Sequence, residues 1–255
     1  MKSQSIFPNS LTLLNLFFGC IACVFSFWGV ISGATICLLL CVLFDFLDGS
    51  LARRLNSQSL LGKYLDALAD LVSFGVTPAI VLHVMYTHER LAVWNKQIDF
   101  DLFGLSVGFQ WLPLSIIPFL ITLCVAFRLA RFGSSDNQKE SFIGLPSPAL
   151  ALLIVPFPLL LQHPYLDFFS QFFQSTYSII ITTIIGCILV LMPLKMFKLK
   201  LTFNRSQSWS EWILYIITLG LLFFFQFLAM PLIVFSYIVI SIVNHLIYGK
   251  KLRIS

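Results

Sequence analysis

The chain has 255 residues, of which 58% are hydrophobic and only 11% charged, and its formal net charge is +5. Water-soluble domains run near 25% charged, so this chain lacks the polar residues to cover a water-facing surface, and the soluble classes are excluded. The six cysteines all lie inside apolar runs, which reads as small buried hydrophobes and gives neither a disulfide framework nor a zinc site.

Stretches of about 20 apolar residues match the thickness of a bilayer core. They predict an all-α, polytopic membrane protein with about eight transmembrane helices, at 10–31, 32–52, 60–86, 108–131, 146–162, 175–194, 209–227 and 229–247. The first run is too long for the apolar part of a cleaved signal and is expected to stay as a span. The fifth carries Pro146, Pro148, Pro156 and Pro158 and is the least regular. The last two are expected to meet at a tight turn near Pro231, and the polar stretches 88–105 and 133–145 read as loops. An even number of spans puts both termini on one side. With that side cytoplasmic, all sixteen Lys and Arg except Arg90 and Lys96 are cytoplasmic as well, a strong positive-inside bias. The basic residues are therefore flanks of spans and contacts for anionic lipid, and nucleic acid is not expected as a partner. Residues 1–195 hold six spans and form one membrane domain. Residues 196–255 add a basic loop and two further helices.

Against this apolar background two acidic pairs stand out, Asp45-x-x-Asp48 and Asp66-x-x-x-Asp70. Spacings of three and four put each pair on one helix face. A turn near Asn56-Ser57-Gln58 folds spans two and three into an antiparallel hairpin, which sets Asp48 level with Asp66 and Asp45 level with Asp70. Four carboxylates thus converge at one depth, a few turns inside the cytoplasmic face. In a low-dielectric setting they need compensating charge, and only Arg53, Arg54 and Lys63 are near in sequence. All-oxygen donors select hard cations such as Mg²⁺, Mn²⁺ or Ca²⁺. Four carboxylates can hold two ions about 3.5–4 Å apart, an arrangement suited to phosphoryl transfer. A proton or cation relay in a transporter also uses intramembrane aspartates, and geometry alone leaves that alternative open. Transporters usually carry paired repeats and helices broken near the midplane, whereas this chain has one acidic hairpin near one face. Gly49, Ala52 and Gly62 around the cluster allow close approach, either of a phosphorylated ligand or of a neighbouring helix.

The run Asp45-x-x-Asp48-Gly49-x-x-Ala52-Arg53, followed by Gly62-x-x-x-Asp66-x-x-x-Asp70, resembles the signature of the CDP-alcohol phosphotransferase family at every fixed position. The resemblance implies a six-helix core with a cavity open to the cytoplasm, in the inner or plasma membrane of a bacterial-type cell. It implies two divalent cations, Mg²⁺ or Mn²⁺, on Asp45, Asp48, Asp66 and Asp70, with Asp70 also the general base. Gly49, Ala52, Arg53 and Gly62 would line the cytidine and diphosphate site, and the family implies a homodimer. Three further stretches are similar to members that accept serine: Pro8-Asn9-Ser10-Leu11-Thr12-Leu13-Leu14-Asn15-Leu16, Ala69 to Ala79, and Phe127-Arg128-Leu129-Ala130-Arg131-Phe132 with Phe142 to Ala149. The activity so implied is transfer of the phosphatidyl group of CDP-diacylglycerol to L-serine, releasing CMP. Glycerol phosphate, inositol phosphate or choline as acceptor are the alternatives. Arg128 and Arg131 are either positive-inside flanks or, as guanidinium forks on one helix face, a site for the lipid phosphate or the serine carboxylate. Asn9 and Thr12 share a helical stripe with Asn15 and are either helix-end residues or nucleotide contacts.

Overall fold

The computed structural model describes residues 6–55, 57, 59–90, 98–102, 105–109, 113–134, 144–156, 158–159, 176–192, 213–214, 217–221, 223 and 229–249. Helix α1 runs from Ile6 to Phe27, with Pro8 in its first turn, where the missing N–H is tolerated. The connection to α2 (Ile31–Arg54) is tight: Gly29 has φ +72° and Val30 N–H donates to the Phe25 carbonyl at 2.9 Å. A positive φ suits glycine because it lacks the Cβ that would crowd the backbone. The turn therefore falls a few residues before the boundary expected near 31, and α2 continues two residues past its expected end.

Helix α3 (Leu60–Asp70) begins at Ser59, whose hydroxyl accepts from Gly62 N–H at 3.0 Å and so satisfies one of the free donors of the first turn. The chain then widens into a π-turn at Leu71–Val76 and resumes as α4 (Thr77–Arg90). The sequence predicts one continuous span here and gives no sign of the π-turn. Its widened carbonyls are satisfied locally: Val72 C=O accepts from both Thr77 N–H and Thr77 Oγ1, and Gly75 C=O accepts from Thr122 Oγ1 at 3.0 Å. A Cβ on Gly75 would press on Leu71 and Val125 at 3.3 Å, so this glycine lets the next helix approach. Single π-turns of this kind recur at functional sites.

Residues 98–109 correct the loop expected at 88–105 and the start of the span expected at 108. Strands β1 (Ile98–Leu102) and β2 (Leu105–Phe109) pair antiparallel, with Ile98 opposite Phe109 and Leu102 opposite Leu105. The physical reason is visible in Ile98-Asp99-Phe100-Asp101-Leu102, whose two-residue alternation favours a strand. After a 3₁₀ segment at Pro113–Phe119 comes α5 (Leu120–Ser134). Helix α6 (Ser147–Ile154) is much shorter than the span expected at 146–162, and Pro156 lies just after its end. Residues 158–159 of that span are helical, and 157 and 160–162 lie outside the described residues. Helix α7 covers Thr176–Leu191 and α8 covers Ala229–Gly249. Pro231 lies in the first turn of α8, where proline fits, and residues 224–228, where the expected tight turn would fall, lie outside the described residues. Most of the span expected at 209–227 lies outside the described residues.

Among the described residues three helices are long and apolar enough to cross a membrane: Ile6–Phe27, Ile31–Arg54 and the rod Leu60–Met85. At 1.5 Å per residue, the 22 residues of α1 extend roughly 33 Å, the thickness of a bilayer core. The chain is an integral membrane protein. Helix α1 packs along α2 and also touches α3, the π-turn and α4. Helices α5 to α8 close the other side around Ile121, Val125, Leu145, Leu150, Ile179, Val190 and Val234.

Candidate metal centre

The hairpin of α2 and α3 sets Asp45, Asp48 and Asp66 so that one carboxylate oxygen from each lies within 4.8 Å of the others. Asp48 is buried and Asp45 and Asp66 are half-buried. Asp70, one turn further along, is 9% exposed and within electrostatic reach of all three. Three of the four acidic side chains thus form a tight set, and Asp70 lies outside it, near enough to feel the charge of each. Asp66 Oδ1 is buried without a hydrogen-bond partner among the described residues. An orphaned carboxylate oxygen on a residue whose carboxylate gathers with two others fits a divalent cation. The all-oxygen donor set points to a hard ion.

Neighbouring groups hold this arrangement. Thr12 of α1, 4% exposed, donates a short hydrogen bond to Asp48 Oδ2. Asn15, one turn along the same face, directs Nδ2–H to Asp70 Oδ1 at 3.4 Å. The Asn9–Thr12–Asn15 stripe therefore lies against the acidic hairpin, and Thr12 is engaged with a carboxylate. Asn9 sits over the N-terminus of α3: a Cβ on Gly62 would come within 3.1 Å of Asn9 Oδ1. The small residue at 62 lets α1 and α3 meet there. Arg53, exposed at the end of α2, exerts its charge on Asp45 and Asp48, and a Cβ on Gly49 would stand 3.6 Å from its Nη1. Ala52 is half-buried one residue before it.

The two arginines of α5 are separated by the structure. Arg128 is half-buried, donates from Nη1 to Ser147 Oγ at 3.1 Å, and lies within electrostatic reach of Asp70 and of Tyr237 on α8. Arg131 is exposed. Ser147 is brought to Arg128 by the turn before α6. There Gly144 adopts φ +81°, a Cβ on it would run into the Val190 carbonyl, and Leu145 N–H donates to the Leu189 carbonyl at 2.8 Å. The Gly144-Leu145-Pro146 turn is thereby fixed to the end of α7, which sets Ser147 at the start of α6 within reach of Arg128. Ser73 and Ser147 lie inside the stretches 69–79 and 142–149 that resemble serine-accepting members, but what each of them touches is recognisable only once the helices are packed, and Tyr237 lies in none of those stretches.

The family model described as CDP-alcohol phosphatidyltransferase matches residues 5–192. An archaetidylserine synthase from Methanothermobacter thermautotrophicus is 35% identical over 152 residues, covering 59% of this chain and 56% of that protein. A CDP-diacylglycerol–serine O-phosphatidyltransferase from Mycobacterium tuberculosis is 32% identical over 157 residues, 59% of this chain and 48% of that one. A protein of the same name from Saccharomyces cerevisiae is 37% identical over 128 residues, 46% of this chain and 38% of that one. The chain thus spans about half the length of the first two and less of the third.

Proposed function

Because the chain belongs to the CDP-alcohol phosphatidyltransferase family, we propose that it transfers the phosphatidyl group of CDP-diacylglycerol to L-serine and releases CMP. The observation that carries this reading is the convergence of Asp45, Asp48 and Asp66 within 4.8 Å, with Asp70 buried beside them. The names of the relatives, which include serine transferases from bacteria and yeast, support serine as the acceptor.

In this reading Asp45, Asp48, Asp66 and Asp70 hold two divalent cations, Mg²⁺ or Mn²⁺. When bound, such ions would neutralise the diphosphate and would supply stabilisation for the negative charge of the departing CMP. Asp70 takes the proton of the serine hydroxyl as the serine oxygen bonds to the lipid-linked phosphorus. The bond from that phosphorus to the CMP oxygen breaks, and CMP leaves with the electron pair. Arg128 offers a guanidinium to the serine carboxylate or the lipid phosphate, held in place by Ser147, with Arg131 nearer the surface. Gly49, Ala52, Arg53 and Gly62 line the nucleotide and diphosphate, with Asn9 and Thr12 at its edge. Thr12 also orients Asp48. The diacyl tails stay in lipid while the reacting phosphorus sits at headgroup depth.

The domain boundary falls near 195 in this reading, with residues 196–255 appended to the core, and the match over 5–192 supports it. The site and both termini face the cytoplasm, and the protein forms a homodimer as the family resemblance implies. A cysteine introduced at position 57 should label from the cytoplasmic side and one at position 97 only from the opposite side; the reverse pattern contradicts this orientation. To test the acceptor, purified protein is given CDP-diacylglycerol with serine, glycerol phosphate, inositol phosphate or choline. Serine should give the fastest CMP release together with a phosphatidylserine product. Faster release with another alcohol reassigns the acceptor.

A further inference from the structure

Asn15 of α1 and Ser73 of the π-turn are both 0% exposed, and their side chains form a chain that ends on Asp70. Ser73 O–H donates to Asn15 Oδ1 at 2.8 Å, and Asn15 Nδ2–H donates to Asp70 Oδ1 at 3.4 Å. Ser73 also lies 3.2 Å from the Asn15 main-chain carbonyl, which accepts Cys41 S–H from α2 at 3.3 Å. Residue 15 is therefore fixed from two sides. The close approach requires Gly19, since a Cβ there would overlap Ser73 Oγ.

An amide side chain has one accepting end and one donating end. Because Ser73 donates to the oxygen, the NH₂ end is turned towards the carboxylate. The opposite orientation would set an amide oxygen against a carboxylate oxygen and would turn Ser73 from donor to acceptor at the amide, leaving its own O–H to the longer contact with the Asn15 main-chain carbonyl. We propose that Ser73 is a positioning residue that acts through Asn15. It fixes the amide so that Asn15 holds Asp70 Oδ1, and Asp70 Oδ2 is left to take the proton of the acceptor alcohol. This rests on the assignment of Asp70 as general base. The assignment of Ser73 comes from a residue of the π-turn that touches no reacting atom.

The test compares wild type with Ser73→Ala, Asn15→Ala and the double variant. Turnover is read as CMP release at saturating substrates, and Mn²⁺ loading is followed independently by electron paramagnetic resonance. Ser73→Ala should lower kcat about tenfold, the effect of losing support for a hydrogen bond to a charged group, while KM for both substrates stays put. The double variant should be no slower than Asn15→Ala alone, because Ser73 works only through Asn15. Unchanged kcat in Ser73→Ala, losses that multiply in the double variant, or a loss that raised Mn²⁺ fully restores would each overturn the proposal. If Ser73→Ala does not fold, Ser73→Cys carries the test, being close in shape with a weaker donor. Lower kcat at unchanged KM supports the proposal, and raised KM at unchanged kcat overturns it. A wild type that releases no CMP with any alcohol sinks the functional reading itself, whereas normal wild-type turnover with an unaffected Ser73→Ala sinks only the positioning role.

Discussion

The two sides of this protein use buried hydroxyl and amide groups differently. On the α1–α4 side many of them reach across to another element: Thr12 to Asp48, Asn15 to Asp70, Ser73 to Asn15 and Cys41 to the Asn15 carbonyl. On α7 and α8 three hydroxyls fold back on their own helix, Thr182 to the Ser178 carbonyl, Thr183 to Ile179 and Ser236 to Ile233, at 2.8 Å each. A hydroxyl bonded to its own helix only hides a polar group from lipid. One bonded across helices also fixes their rotation and depth. Each such bond stabilises a membrane protein by only about 0.6 kcal/mol on average, so their concentration around four aspartates serves placement of carboxylates more than stability. On the α5–α8 side apolar packing dominates, and the polar link Arg128–Ser147 lies where that side meets the aspartates.

The contrast can be broken by substitution, and the largest effect is expected at Asp70. Asp70→Asn keeps an oxygen ligand but cannot take a proton, so kcat should fall by roughly 10²–10⁴-fold while CDP-diacylglycerol still binds at saturating metal. Near-normal turnover once Mn²⁺ saturates would remove Asp70 from the base role and leave it a ligand. Next is Asp66→Asn, which takes a formal charge from the tight set of three. Its apparent Mn²⁺ affinity should drop strongly and part of its activity should return as Mn²⁺ is raised; a metal titration unchanged from wild type would contradict the assignment. Thr12→Val removes the donor that orients Asp48 and should weaken Mn²⁺ binding by about 10- to 100-fold, as for other residues that orient a ligand. Smallest is Thr183→Val, whose hydroxyl bonds only its own helix. Activity should be unchanged and stability should move by less than about 0.5 kcal/mol. If Thr12→Val and Thr183→Val behaved alike in both assays, the distinction between the two sides would fail.

The placement of the carboxylates is legible in the sequence because it depends on quantities that residue spacing encodes. Asp45 and Asp48, and Asp66 and Asp70, are fixed on helix faces by the helical period, and one short turn sets the hairpin register. The partners of those carboxylates are less legible. Whether Thr12 meets a nucleotide or Asp48, and whether Asn15 meets Asp70, depends on the rotation of α1, which apolar residues on several faces leave undetermined. The π-turn that carries Ser73 is invisible for a similar reason, since Leu71-Val72-Ser73-Phe74-Gly75-Val76 is as apolar as its flanks. At 98–109 the signal was present in alternating Ile, Asp and Phe, but a polar stretch between two spans reads first as a loop. The short α6 was foreshadowed by the prolines at 146, 148, 156 and 158, which mark an irregular span without saying where it stops.

The central claim is that the acidic hairpin end is a divalent-metal site at which a phosphatidyl group passes to serine. It is tested most directly by following CMP release from CDP-diacylglycerol and serine before chelation, after exhaustive chelation, and after Mg²⁺ or Mn²⁺ is returned. The account predicts that phosphatidylserine and CMP form in equal amounts, stop when metal is removed and resume when it is restored. Full turnover after exhaustive chelation would contradict it.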